Sequence, residues 1–244
     1  MLRGEDDLRA PRRGARAGAG APARAAERMS CVLKSGETPH ETMGRLFCVL
    51  GKSGSGKDTV FRALVQERAL GLRPVVGYTT RPHREFETEG VEYHFRSEAE
   101  FAALREAGKI IEERSYRTMH GVWRYATVDD GSIDFSAGSY LTIATPEALG
   151  GLRARFGPAA VVPLYLEVED GLRLRRMIRR ESRREAPDYP EVCRRFLADE
   201  QDFAREVLRQ QGVTASISNR RLRDCLAQIA GIIRQAGFAE IPRG

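Results

Sequence analysis

Residues 45–70 read RLFCVLGKSGSGKDTVFRALVQERAL and carry three signals in succession. RLFCVL is an apolar run of strand length, GKSGSGKDT from Gly51 to Thr59 is a glycine-rich loop, and DTVFRALVQERAL is an amphipathic helix. A strand, a glycine loop, a lysine and a helix in that order make a cradle for phosphate. Glycines let backbone N–H groups crowd the anion, the helix N-terminus adds positive partial charge, and Lys57 reaches the outer phosphates. The usual spelling is Gly, four residues, Gly-Lys, then Ser or Thr. Here Asp58 follows Lys57, and the hydroxyl comes one place later, at Thr59. A carboxylate is a good oxygen ligand for Mg²⁺, so Asp58 is a candidate metal ligand. It is equally an acid favoured by the helix dipole.

The chain has 244 residues and a formal charge of +6, enough for one α/β domain with an appendage and suited to a polyanionic partner. Cys31, Cys48, Cys193 and Cys225 are scattered, with no CxxC pair, which argues against a zinc site or a disulfide framework and fits a reducing, cytoplasmic setting. The apolar run at 46–50 is far too short to span a bilayer. Residues 1–44 are rich in Ala, Gly, Pro and Arg with little to bury, and are expected to be a disordered tail. A basic nucleic-acid arm and an Arg-rich transit segment are the other readings, and Glu5, Asp6 and Asp7 argue against the second. Met43 stands where a compact domain could begin.

From Arg45 onward, short apolar runs alternate with helical patterns, the signature of a mainly parallel sheet with crossover helices. Strands are expected near 46–50, 75–79, 139–144, 161–168 and 214–218. Helices are expected near 57–69, 97–107, 146–155, 170–181, 190–210 and 220–236. Between about 78 and 135 the pattern turns to short polar-apolar strands, as if a mixed-sheet lobe were inserted.

GYTTRPHREFETEGVEYHF, residues 77–95, places a TTRxxR element, an ExxG turn and a YxF strand behind the loop. At this spacing the sequence resembles the guanylate kinase family. The resemblance implies that Arg81, Arg84 and Tyr93 grip the GMP phosphate, and two guanidinium forks with a phenol suit a phosphate dianion. GKIIEERSYRTMHGVWRYAT, residues 108–127, is similar to the segment that carries the family's guanine-reading glutamate. That implies Glu112 or Glu113 for the base, Tyr125 as a second phosphate-binding tyrosine and Thr127 as a base-contacting hydroxyl, with a solvated surface acid as the alternative for either glutamate. The segment is longer than the family's, and Val122, Trp123 and Arg124 replace its usual residues.

The arginine-rich stretch 170–203 matches the family's lid, about 176–196, with Arg176 and Arg180 one helical turn apart and Arg195 before Phe196. Cations that arrive on closure would stabilise the charge of phosphoryl transfer. An RNA-binding arginine face is the alternative, although aromatic stacking residues are scarce there. Asn219, followed by Arg220 where the family has Asp and by Leu222, matches the element that contacts adenine, or else is a helix cap.

The resemblance therefore implies a P-loop α/β kinase fold over 45–244, with a parallel core sheet flanked by helices, a mixed-sheet GMP-binding lobe and a helical lid. It implies transfer of the ATP γ-phosphate to GMP with Mg²⁺. Gly51, Ser53, Gly54, Ser55, Gly56, Lys57, Asp58, Thr59 and Asn219 would hold ATP, and Lys57, Arg176, Arg180 and Arg195 would be catalytic. Small nucleotides are the expected partners, with neither nucleic acid nor membrane. One departure matters: SYLTIATPEAL carries Thr142 and Ala144 where the family has a pair of acids. Either activity is lost, as in binding modules of this type, or Asp58 supplies the missing carboxylate. A kinase for another phosphorylated acceptor, such as ribose 1,5-bisphosphate, would need the phosphate clamp without a base reader.

Overall fold

The computed structural model describes residues 43–85, 87–118 and 121–237. The expected tail lies outside them except for its last two residues. The first strand, β1 (Leu46–Leu50), is wholly buried, and its alternation divides the interior into two apolar layers. Leu46, Cys48 and Leu50 face Leu149 and Leu152 of α3 (Pro146–Phe156). Phe47 and Val49 face Val60 and Leu64 of α1 (Lys57–Gln66), with Ile229 and Ile233 of the last helix beyond. A strand covered on both faces by helices reads as a continuous apolar run, which is why LFCVL has no polar alternation.

Around β1 the core sheet has five parallel strands in the order β2-β7-β1-β8-β9. β2 is Arg73–Pro74, β7 Tyr140–Ile143, β8 Val161–Glu167 and β9 Ile217–Ser218. The chain between β2 and β7 builds a second sheet of four strands in the order β4-β3-β6-β5. Its strands are β3 (Gly77–Thr79), β4 (Tyr93–Phe95), β5 (Ile110–Thr118) and β6 (Gly121–Val128), with β3 parallel to β4 and antiparallel to β6. One face packs on α2 (Glu98–Glu106) through Tyr78, Phe101, Ala126 and Val128. Ser97 starts α2 as a capping box with Glu100.

The C-terminal part adds α4 (Asp170–Glu181), α5 (Tyr189–Asp202), α6 (Arg205–Gln210) and α7 (Leu222–Gly237). Two sequence expectations are corrected. The single strand near 75–79 is two short ones in different sheets, because the chain leaves the core sheet after Pro74 and enters the second at Gly77. The single helix near 190–210 is two. Ala204 is extended (φ −56°, ψ 144°), and the break lets Phe203 turn inward to stack on Tyr165 at 6.1 Å between ring centres.

Candidate active site

The phosphate loop leaves the C-terminal end of β1, where open parallel sheets place their ligands. Its glycines are required by space. A Cβ on Gly51 would stand 2.5 Å from Ser55 Oγ, and one on Gly54 2.7 Å from the Arg173 carbonyl oxygen. Gly54 and Gly56 also lie in the left-handed region, at φ +79° and +86°. Asn219 Nδ2 donates to the Ser55 carbonyl at 2.7 Å, and its own N–H donates to Glu167 at 3.1 Å, so Asn219 supports the loop from β9. Ser55 Oγ is buried with no hydrogen-bond partner among the described residues. An orphaned hydroxyl inside a glycine cradle fits a ligand that brings its own oxygens. Lys57, half-buried, opens α1, and Asp58 and Thr59 follow it, exposed in the first turn. The described residues contain no cluster of three metal-ligating side chains. A single carboxylate is nevertheless what Mg²⁺ takes when substrate phosphates and water fill its other positions, so Asp58 fits that ion.

α4 and α5 close on the loop's rim. Arg173 is only 1% exposed and donates to Asp170 at 2.7 Å, to Glu200 at 2.8 Å and to the Ser53 carbonyl at 3.0 Å. Its guanidinium lies 4.7 Å from the Phe196 ring centre. Asp199 accepts from the Ser53 N–H at 2.7 Å and lies 3.4 Å from Arg173, while Lys52 pairs with Glu200 at 2.7 Å. Arg176 donates to the Asn219 carbonyl at 3.1 Å and to the Gly54 carbonyl at 3.4 Å, so it stands at the loop. Arg180 is exposed one turn further along, and Arg195 is held by Glu191 at 2.6 Å. Arg176 alone of the three expected lid arginines touches the loop here. Arg173 and Asp199 were missed by sequence reasoning. The arginine run showed many cations but gave no sign of which one is buried.

The second sheet gathers the residues expected to hold an acceptor phosphate. Arg81, 4% exposed, is gripped by Glu87 through bonds of 2.6 and 2.9 Å. Its guanidinium lies 5.6 Å from the Tyr93 ring centre, and Tyr93 and Tyr125 meet edge to face at 5.6 Å. Glu87 raises the Arg81 pKa further, and burial raises that of Tyr93, so the cation and the neutral phenol persist at any ordinary pH. Arg84 is exposed and its N–H donates to Glu87 at 3.0 Å. Arg81, Tyr93 and Tyr125 are therefore brought together, with Glu87 as an anchor that had no role in the sequence reading.

Neighbouring strand residues point to opposite faces, and this separates the two glutamates. Glu113 turns toward α2, and Arg105 of that helix and Arg124 of β6 each donate to it at 2.8 Å. Glu112 turns the other way and is buried. Thr127 Oγ1, its partner across the hairpin, donates to Oε1 at 2.8 Å. β5 and β6 pair antiparallel from Glu112–Thr127 out to Thr118–Gly121, and a register shift between Ile110 and Glu112 sets Glu112 opposite Thr127. Thr142 and Ala144 are both buried at the end of β7.

Comparison with known proteins bears on this arrangement. Residues 43–128 match the family model described as Guanylate kinase. The guanylate kinase of Enterococcus faecalis is 41% identical over 73 residues, covering 30% of this chain and 36% of that protein. The guanylate kinase of Neisseria gonorrhoeae is 32% identical over 123 residues, 50% of this chain and 58% of that one. The matched stretch thus spans only part of these relatives' length. In three dimensions, the crystal structure of guanylate kinase from Anaplasma phagocytophilum matches with a TM-score of 0.55, over 81% of this chain and 88% of that one, at 20% identity. The chain shares the fold of that structure.

Proposed function

On the premise that residues 43–128 carry guanylate kinase family sequence and the chain has the fold of a solved guanylate kinase, we propose that it transfers the γ-phosphoryl group of ATP to GMP, giving ADP and GDP. The observation that carries this reading is the pairing of a phosphate cradle with an anchored arginine–tyrosine clamp, Arg81 with Tyr93 and Tyr125, at the family's spacing. Lys57 and the amides from Gly51 to Thr59 hold the donor phosphates. Arg81, Arg84, Tyr93 and Tyr125 hold the phosphate of GMP, and Glu112 with Thr127 reads its base. Glu113 has no part in this, because its carboxylate is committed to Arg105 and Arg124 on the opposite face.

The acceptor phosphate is itself a competent nucleophile and needs no general base, so alignment and charge neutralisation carry the reaction. Arg176 stands at the loop to meet charge on the transferred group, and the exposed Arg180 and Arg195 side chains of α4 and α5 swing over both nucleotides to join it. When bound, Mg²⁺ neutralises negative charge on the donor phosphates. Asp58 is the residue that would hold it, standing in for the acids that Thr142 and Ala144 replace.

The test is ADP release by the purified full chain offered GMP, AMP, UMP or ribose 1,5-bisphosphate with ATP and Mg²⁺. Release with GMP well above the others supports the reading. Release with ribose 1,5-bisphosphate alone gives the site a different acceptor, and release with none makes it a binding module.

A further inference from the structure

We propose that Arg114 is the second half of the base reader and sets guanine specificity together with Glu112; this rests on the GMP reading above. Arg114 lies two residues from Glu112 on the same face of β5, opposite Tyr125 of the phosphate clamp. Its Nη2 donates to Glu112 Oε1 at 3.2 Å, and its Nε lies 3.1 Å from Glu112 Oε2. The second approach is too far out of line to be a hydrogen bond, so Glu112 Oε2 and Arg114 Nε are both buried without a hydrogen-bond partner among the described residues. The glutamate side chain is 6% exposed and the arginine side chain 25%. The two atoms are paired at 3.1 Å without a hydrogen bond, so a ligand that offers a donor to Oε2 and an acceptor to Nε supplies the bonds that the pair itself does not make.

The backbone fixes this pair in place. Thr127 Oγ1 holds Glu112 Oε1 from the facing strand. Behind it Gly151 of α3 allows the helix close, since a Cβ there would come within 3.2 Å of Glu112 Cβ and 2.9 Å of the Ile111 carbonyl oxygen. A carboxylate with a guanidinium beside it presents two acceptor positions followed by a donor fork. The guanine edge presents the complement: the N2 amine and N1–H donate, and then O6 and N7 accept. A guanidinium on O6 and N7 is also the commonest specific contact that proteins make to guanine. In this geometry Glu112 takes N1–H and the N2 amine, and Arg114 donates to O6 and N7. Adenine reverses both ends, setting its N6 amine against the guanidinium and its bare N1 against the carboxylate. A site built to pair buried polar groups rejects such a ligand strongly, because it leaves those groups unpaired.

Because Arg114 also stands opposite Tyr125, the competing assignment is a further contact to the acceptor phosphate. Calorimetric titration of the full chain with GMP, IMP and AMP separates the two, using wild type, Arg114→Met and Arg114→Lys, each first shown by circular dichroism to be folded. IMP keeps O6 and N7 but lacks the N2 amine. Base reading predicts that Arg114→Met weakens GMP and IMP alike by about 10- to 100-fold and leaves AMP nearly unchanged. Arg114→Lys, which keeps the charge without the fork, should recover only part of the loss. Equal weakening of GMP and AMP, or unchanged GMP affinity, would overturn the assignment of Arg114. A wild-type protein that does not prefer GMP to AMP would instead overturn the GMP reading beneath it.

Discussion

Asp58 and Lys57 stand side by side at the N-terminus of α1, opposite charges at the place where a polyphosphate would dock. If the carboxylate holds the metal, Asp58→Ala should lower Mg²⁺-dependent turnover by about 100- to 1,000-fold and raise the Mg²⁺ concentration for half-maximal rate, an effect of the size usual for lost transition-state charge stabilisation. Turnover and metal dependence left intact in that variant would show that Asp58 is only a helix-terminal acid. Glu89 allows a second test, through pH. The Phe95 N–H, with Arg96 and His94 adding to it, holds its carboxyl down to about 2 from an ordinary 4.5, against the opposing effect of burial. A depressed carboxylate pKa contributes stability that is complete above the unfolded value and is lost as pH falls through the folded one, here between about 4.5 and about 2. The gap in urea midpoint between wild type and Glu89→Gln should therefore narrow from pH 6 to pH 3; a constant gap would contradict it. The phosphate loop was legible residue by residue because its chemistry is local: glycines, a lysine and a helix start sit within nine positions. Glu87 was visible in the ExxG turn, but its grip on Arg81 was not, since a carboxylate in a turn carries no mark of which cation it meets. That Glu112 and Glu113 face opposite sides likewise needed the register of β5 against β6.

At the scale of elements, α4 and α5 meet the loop through one buried cation. Arg173 binds Asp170 within its own helix, Asp199 and Glu200 in α5, and the Ser53 carbonyl in the loop. Replacing it by methionine would keep much of the volume and leave Asp199 without its buried partner, a loss on the order of 3–5 kcal/mol when one side of such a pair is removed. Urea denaturation should show that loss for Arg173→Met, whereas Arg180→Met, at an exposed position, should stay within about 0.5 kcal/mol of wild type. Comparable stability for the two variants would mean that the Arg173 network does not hold the helices to the loop. The hydrophobic pattern announced α4 correctly, from Asp170 to Glu181, because its polar and apolar faces are well separated. It ran α5 and α6 together because the break at Ala204 is made by packing: Phe203 is drawn onto Tyr165, and no Gly or Pro marks the place. The strand near 75–79 was misread for a similar reason, since a two-residue hand-over between sheets is set by which neighbour each half finds.

Across the molecule, the two sheets divide the labour. The parallel core, with β1 at its centre, offers the phosphate loop at one strand end, and the mixed sheet inserted between β2 and β7 carries the arginine–tyrosine clamp and the Glu112–Arg114 pair. This plan was legible from Arg45 onward because buried parallel strands and crossover helices leave an alternating pattern that composition cannot hide. What the pattern could not show is the spatial meeting of Glu112 with Arg114 and of Asp199 with Ser53, which depends on a hairpin register and on a contact between residues 146 positions apart. The proposed activity unites these parts, because it requires phosphoryl transfer between the glycine loop and the arginine–tyrosine cluster, which a binding module would not show. The most direct measurement is ³¹P NMR of the purified full chain with ATP, Mg²⁺ and GMP. GDP and ADP should appear together in equal amounts, with AMP inert in place of GMP; ADP without GDP, or no change in the ATP signals, would rule out phosphoryl transfer to GMP.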